Sequence, residues 1–144
     1  MKTRGFDERQ LKIRGEIFFH GLMTALTLLL VNAFFLGMDV HWASGFQQNI
    51  LIIIFTGMVL IVEAILRDAF FGMGQMRWPI IGAFGVVAMV LLVLGLGHAF
   101  QGGLLAEGGR LTEYGFYLVY AVMPISVTVA GVIKEVTEKY KKNE

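Results

Sequence analysis

Residues 79–100 read PIIGAFGVVAMVLLVLGLGHAF, and residues 79–97 within them contain no charged side chain. A helix of this length is long enough to cross a hydrocarbon core of about 30 Å. Three further apolar stretches of similar character lie around it, at residues 17–36, 50–66 and 114–133. The chain of 144 residues is 56% hydrophobic, with a mean hydropathy of +0.69, which is difficult to reconcile with a soluble domain. The sequence therefore predicts an all-α fold, an integral membrane four-helix bundle forming a single membrane domain.

The basic residues are distributed very unevenly between the segments that connect these stretches. Of the twelve Lys and Arg residues, only Arg110 lies between the first and second stretches or between the third and fourth. By the positive-inside rule, we expect both termini and the middle connection on the cytoplasmic side of the cell membrane. Residues 8–16 are then a cytoplasmic extension of the first helix, and residues 134–144 a cytoplasmic tail. The expected partner is the lipid bilayer rather than nucleic acid, because the basic ends suit its anionic headgroups.

The start of the first helix has a clear local signal. Asp7 is a suitable N-cap, and Gln10 three residues later can complete a capping box. Phe6 and Leu11 occupy the two positions of a hydrophobic staple. We therefore expect the first helix to begin near residue 8 and to continue directly into the membrane.

The other helix boundaries are predicted from glycine, proline and capping residues. The second helix is expected to run from Asn49 to about Phe71 and to stop at Gly72. Pro79 is expected at the first position of the third helix, where its missing N–H costs nothing. Thr112 is expected to cap the fourth helix. Charge pairs spaced at i, i+4 after residue 133 favour extension of that helix into the tail.

The segment DERQLKIR at residues 7–14 resembles the start of small multi-span membrane proteins that carry a DER or DERQ motif. Those proteins are found mostly in Gram-positive bacteria and archaea, and many have no known function. Their genes are often neighbours of helix-turn-helix regulators, so the resemblance implies at most a role in a regulated membrane response. It implies no catalytic or binding residue. Helix capping alone also accounts for these residues.

Glu63 is the main candidate for chemistry, because it is a carboxylate inside an otherwise apolar span. In a partly dry interior it could exchange protons or bind a cation. The alternative is a structural role, in which Glu63 pairs with Arg67 at i, i+4 or reaches the headgroups. Glu16 and His20 lie at a similar depth on the first helix, so the sequence predicts a cluster if the two helices are adjacent. Such a cluster could relay protons or sense pH, although His20 can also serve as a simple interfacial hydrogen-bonding residue.

The remaining polar residues give weaker signals. Asn32 is expected to bond another helix in the membrane. Asp39, His41 and His98 lie near the outer face and could hold a metal ion, but their spacing matches no metal motif, so no metal is expected. The chain contains no cysteine and no nucleotide-binding or hydrolase motif. We therefore expect neither a cofactor nor enzyme activity.

Three functions remain as alternatives. The favoured one is a non-enzymatic membrane protein of uncharacterised role, which acts by association with itself or with a membrane protein partner. Short connections and helix faces rich in small residues favour it. The alternative is a small oligomeric transporter or channel that is coupled to protons through Glu63. Four-span small multidrug transporters use an essential glutamate, but theirs lies in the first span, whereas Glu63 lies near the end of the second. An intramembrane enzyme is the least favoured function, because the intramembrane polar groups are few.

Overall fold

The computed structural model describes residues 7–40, 42–71, 77–107 and 110–142. Its helices are α1 (Glu8–Gly37), α2 (Gly45–Leu66), α3 (Arg77–Phe100) and α4 (Glu113–Lys142). Each of these four helices is long and apolar enough to cross a membrane. The prediction of an all-helical chain with four helices of membrane-spanning length is therefore confirmed.

The helices pack in an order that differs from their order in the sequence. α4 packs against both α2 and α3, while α1 packs mainly along α2. Two small apolar cores hold α4 in place, one around Ile65 and Val127 and the other around Leu51 and Phe116. Most large apolar side chains of α1 are exposed instead, including Phe18 at 72%. Hydrocarbon chains are as apolar as these side chains, so a membrane environment accommodates them without cost.

The start of α1 has the local structure that its sequence suggests. Asp7 is the N-cap, and its carboxylate accepts a hydrogen bond of 2.6 Å from the Gln10 backbone N–H. The Gln10 side-chain oxygen accepts one of 3.2 Å from the Asp7 backbone N–H, which completes the capping box. Two of the N–H groups that a helix start leaves unpaired are thereby satisfied. Leu11 is exposed, and Phe6, the other half of the predicted staple, lies outside the described residues.

The predicted boundaries of α2 are wrong at both ends. The helix begins at Gly45 rather than Asn49, because Ser44 and Gln47 form a second capping box. It ends at Leu66 rather than Phe71, because Asp68 adopts a left-handed conformation with φ of 59°. The Ala69 N–H then bonds the Ala64 carbonyl at 2.8 Å, as in a Schellman motif. Aspartate tolerates this conformation better than most residues, so no glycine is needed for the stop. The predicted stop, Gly72, lies outside the described residues.

The same type of helix end recurs at α1 and α3. Asp39 has a φ of 62°, and the Val40 N–H bonds the Phe35 carbonyl at 3.0 Å. At the end of α3, Gly102 has a φ of 80° and the Gly103 N–H bonds the His98 carbonyl. All three ends satisfy carbonyl groups that would otherwise be unpaired.

The region between α3 and α4 contains a short hairpin that the sequence did not predict. Strand β1 (Ala106–Glu107) pairs with β2 (Arg110–Leu111) in antiparallel register. Thr112 then caps α4, since its hydroxyl oxygen accepts a bond of 3.3 Å from the Gly115 N–H. Pro79 is the third residue of α3 rather than the first, but it still lies within the turn whose N–H groups lack helical partners.

Two glycines of α3 face α4 at very different distances. A Cβ atom at Gly95 would lie 2.5 Å from Leu118 Cδ2 and 3.3 Å from the Tyr114 carbonyl oxygen. A Cβ atom at Gly85 would lie 3.7 Å from the nearest atom of Thr128, which is ordinary contact. Of these two glycines, Gly95 is the one at which the close approach of the helices leaves no room for a side chain.

We expect Gly95→Ala to destabilise the protein by about 1–3 kcal/mol, because the added methyl group overpacks the interface of α3 and α4. Gly85→Ala is the matched control, and it is expected to be neutral or to stabilise by up to about 1 kcal/mol through helix propensity. Thermal unfolding in detergent micelles, followed by circular dichroism, measures both. Equal stabilities of the two variants would contradict the packing described here.

Candidate functional site

Four charged or titratable side chains meet where the start of α1 crosses the end of α2. Glu16 and His20 are four residues apart on α1, and Glu63 and Arg67 are four residues apart at the end of α2. This spacing places each pair on one face of its helix. The two helices approach closely beside His20, because a Cβ atom at Gly21 would lie 2.3 Å from Leu60 Cδ2. The absence of a side chain at Gly21 therefore lets the two polar pairs reach each other.

The four side chains form a continuous chain of hydrogen bonds, which we call the α1–α2 cluster (Glu16, His20, Glu63 and Arg67). Arg67 Nη2 donates to Glu16 Oε2 at 2.5 Å, and Arg67 Nη1 donates to Glu63 Oε1 at 2.9 Å. His20 Nδ1 lies 2.9 Å and 3.0 Å from the two carboxylate oxygens of Glu63. The structure thus brings together all four residues that the sequence singled out, and both suggested contacts of Glu63 occur at once.

The charge of the α1–α2 cluster is not balanced. Two carboxylates face one guanidinium, so the cluster carries one net negative charge when His20 is neutral and none when it is protonated. The hydrogen bonds to Glu16 and Glu63 raise the pKa of Arg67 above its ordinary value, so this residue stays charged.

The exposure of the cluster limits its energetic contribution. The Glu63 side chain is 22% exposed, and that of His20 is 52% exposed. Where such partly exposed ion pairs face water, they usually contribute no more than about 1 kcal/mol each. The α1–α2 cluster therefore orients α1 against α2 more than it holds the fold together.

A second set of charges lies at the same end of the molecule and was missed by sequence reasoning. Arg77 Nη1 donates to both oxygens of Glu138 at 2.7 Å and 2.8 Å. Lys134 Nζ lies 2.6 Å from the Asp68 carboxylate, which ties α4 to the end of α2. The sequence does show that Glu135 and Glu138 lie among basic residues at this end. The ion-pair partners of Glu135 and Glu138 depend on the packing of α4 against both α2 and α3, which the sequence does not show.

Gln10 has a second role beside its place in the capping box. Its side-chain Nε2 donates a hydrogen bond of 2.7 Å to the Asp68 carbonyl oxygen, at the left-handed end of α2. The Gln10 Oε1 atom accepts the capping hydrogen bond at the start of α1, and the Nε2 atom donates a hydrogen bond to the end of α2. One side-chain amide therefore joins the two helices. A glutamate would complete the capping box equally well, but it has no hydrogen to donate to the carbonyl. This contact gives a physical reason for glutamine in the DERQ segment.

The remaining sequence candidates are Asn32, Asp39, His41 and His98. Asn32 Oδ1 is buried and has no hydrogen-bond partner among the described residues, so the expected bond to another helix is not seen. His98 stacks on Tyr114 with ring centroids 3.5 Å apart. His41 lies outside the described residues, and the described ranges contain no group of three or more His, Cys, Asp or Glu residues suited to a metal ion.

Comparison with known proteins finds no family model, no curated protein and no solved structure that matches the chain. The resemblance of residues 7–14 to DERQ-motif proteins therefore stays a prediction.

We expect Gln10→Glu to destabilise the docking of α1 on α2 by about 1–2 kcal/mol. The variant keeps the capping box, but it replaces the donor to the Asp68 carbonyl with a carboxylate oxygen that cannot donate. Asp7→Asn is the matched control, because asparagine is an equally good N-cap and leaves Gln10 intact. Hydrogen exchange of the first turns of α1, measured by mass spectrometry in detergent, should increase in Gln10→Glu only. Equal protection in both variants would show that Gln10 acts as a cap alone.

Proposed function

We propose that this chain is a multi-pass protein of the cell membrane with both termini and the connection between α2 and α3 in the cytoplasm. Four helices of sufficient length and apolarity support the membrane assignment. The orientation is supported by the basic residues, since Arg67, Arg77 and Lys134 all lie at the end of the molecule where α1 begins and α4 ends.

Within the membrane, we propose a non-enzymatic role through association, either with a second copy or with a membrane protein partner. The observation that carries this proposal is the exposure of α1. Of the thirty residues of α1, only Ile17 and Gly21 are buried. Leu22, Leu26 and Leu30, spaced four residues apart, are all about half exposed or more, so they form an apolar face available to another helix. Helices in lipid associate through packing of such faces rather than through the hydrophobic effect.

The alternative is proton-coupled transport through Glu63, and the observation that favours it is the contact of Glu63 with His20. Two titratable groups in contact near the end of a span can exchange a proton. The contact with Arg67 favours a structural role instead, because the guanidinium already compensates the charge of Glu63. Association is therefore the function that the geometry supports better.

The association proposal predicts that paired substitutions on α1 weaken self-association in lipid vesicles. We expect Leu26→Ala with Leu30→Ala to reduce the dimer affinity about tenfold, or ~1.4 kcal/mol, through lost packing. Val86→Ala with Val93→Ala is the control, since both valines are 64% exposed on α3. Energy transfer between labelled copies, measured across a range of protein-to-lipid ratios, reports the affinity. Equal effects on α1 and α3 would contradict an interface on α1, and a monomer at all densities would point to a different partner protein.

The same vesicles distinguish association from the alternative function, proton-coupled transport. Under the association proposal, Glu63→Gln retains energy transfer and leaves the proton permeability of the vesicles at the wild-type value. A proton flux in the wild type that Glu63→Gln abolishes, with assembly unchanged, would favour the transporter.

A further inference from the structure

An open groove of about 200 Å³ lies between the start of α1 and the end of α2, at the end of the molecule that carries the ion pairs. Arg14 of α1 is the one lining residue with a charged or polar side chain. The rest of the wall is apolar and includes Phe18 of α1 and Leu60 and Ala64 of α2. Glu16 follows Arg14 by two residues, about 200° around the helix, so the groove lies on a different side of α1 from the α1–α2 cluster.

The neighbours of Arg14 on α1 hold it beside this groove. Gln10, four residues earlier, donates a hydrogen bond of 2.7 Å to the Asp68 carbonyl oxygen at the end of α2. Ile17, three residues later, is 4% exposed and packs in a small core with Ala64. Residues three and four positions apart share one side of a helix, so Arg14 is on the side of α1 that contacts α2.

The backbone after α2 forms part of the same wall. The N–H groups of Ala69 and Phe70 both bond the Ala64 carbonyl, at 2.8 Å and 3.0 Å. This turn folds the chain back beside Ala64, so all three residues line the groove. The result is one guanidinium next to a continuous apolar surface.

The position of Arg14 along α1 matches the depth of lipid head groups. The first apolar stretch begins at residue 17, so Arg14 lies about one turn outside the hydrocarbon core. A guanidinium has five N–H donors, and it binds phosphate through two parallel hydrogen bonds. Arg14 already interacts with another group of the chain, and five donors allow a second partner beside it.

We propose that this groove binds one anionic phospholipid, with its phosphate at Arg14 and an acyl chain along the apolar wall. The charge of Arg14 is the feature that selects this occupant. A zwitterionic lipid carries its own cation beside the phosphate, so it gains less from the guanidinium than a lipid with a net negative charge.

The dimensions of the two helices suit an acyl chain. An apolar cavity of about 150 Å³ is large enough to bind benzene, so 200 Å³ holds about eight carbon atoms by proportion. A second, mainly apolar groove of about 540 Å³ lies between the same helices and shares Leu60 with the first. Ala25 and Leu29 line it, about two and three turns beyond Phe18, so it offers a surface for the rest of the chain.

This inference rests on the membrane assignment but not on the association proposed for α1. Leu22, Leu26 and Leu30, which form the proposed association face, do not line the groove at Arg14. Loss of a lipid preference would leave the topology and the self-association of the chain unchanged, so a failure of either proposal can be recognised separately.

The test is lipid binding by the purified chain in a non-ionic detergent. We would titrate it with phosphatidylglycerol and with phosphatidylcholine that have identical acyl chains, and count the lipids retained per chain by native mass spectrometry. We expect one phosphatidylglycerol per chain, with a dissociation constant about fivefold lower than that of phosphatidylcholine. Glycerophosphoglycerol, which is the same head group without acyl chains, should not compete at an equal concentration.

Arg14→Gln is the decisive variant, and Lys12→Gln is its matched control. Both remove one positive charge from the exposed start of α1, but Lys12 does not line the groove. Arg14→Gln should abolish the preference for phosphatidylglycerol, whereas Lys12→Gln should retain it. Circular dichroism verifies the fold of each variant.

A second pair of variants tests the apolar wall. Phe18 and Phe19 are 72% and 59% exposed, but only Phe18 lines the groove. Phe18→Ala should weaken the binding of both lipids by the same factor, and Phe19→Ala should leave it unchanged. Equal affinities of the wild type for the two lipids would overturn the proposal. Equal losses of preference in Arg14→Gln and Lys12→Gln would also overturn it, because they would show a diffuse charge effect rather than a site.

Discussion

The structure depends on one constraint, which is that backbone N–H and C=O groups in hydrocarbon must find their partners within the chain. The four apolar stretches meet it by forming helices, with the exception of the one hydrogen bond that Pro124 inside α4 cannot donate. The helix ends meet it by local devices, namely capping boxes at Asp7 and Ser44 and left-handed residues at Asp39 and Asp68. The capping boxes and left-handed residues pair the backbone N–H and C=O groups at the helix ends. Each helix can therefore stop abruptly, and the connections between the helices can be short.

The membrane also restricts where charged side chains can lie. A charged side chain is costly in the bilayer centre, and the ion pairs of Arg67, Arg77 and Lys134 lie together at one end of the molecule. Arg67 links α1 to the end of α2, Lys134 links α4 to the same end through Asp68, and Arg77 links α3 to α4. The helices are thus tied at one end by polar contacts and elsewhere by apolar packing.

Sequence reasoning predicted those parts of the structure that depend on local or periodic signals. Hydropathy predicted the four helices, and residue spacing predicted the capping box of α1. The end of α2 was misjudged because an aspartate in a left-handed conformation looks like any other polar residue in a sequence. The contacts of Asp68 with Gln10 and Lys134 could not be predicted, since they need the packing order of the helices. The contact of His20 with Glu63 was anticipated only on the condition that α1 and α2 are neighbours.

The most direct test of the account is the topology of the chain in the membrane. Because the chain has no cysteine, single cysteines can be introduced at Gln101, between α3 and α4, and at Lys139, near the end of α4. Intact cells are then treated with a maleimide that does not cross membranes. The account predicts labelling at Gln101→Cys in intact cells, and labelling at Lys139→Cys only after permeabilisation. Labelling of Lys139→Cys in intact cells, or equal labelling of both variants, would contradict the four-span topology with cytoplasmic termini.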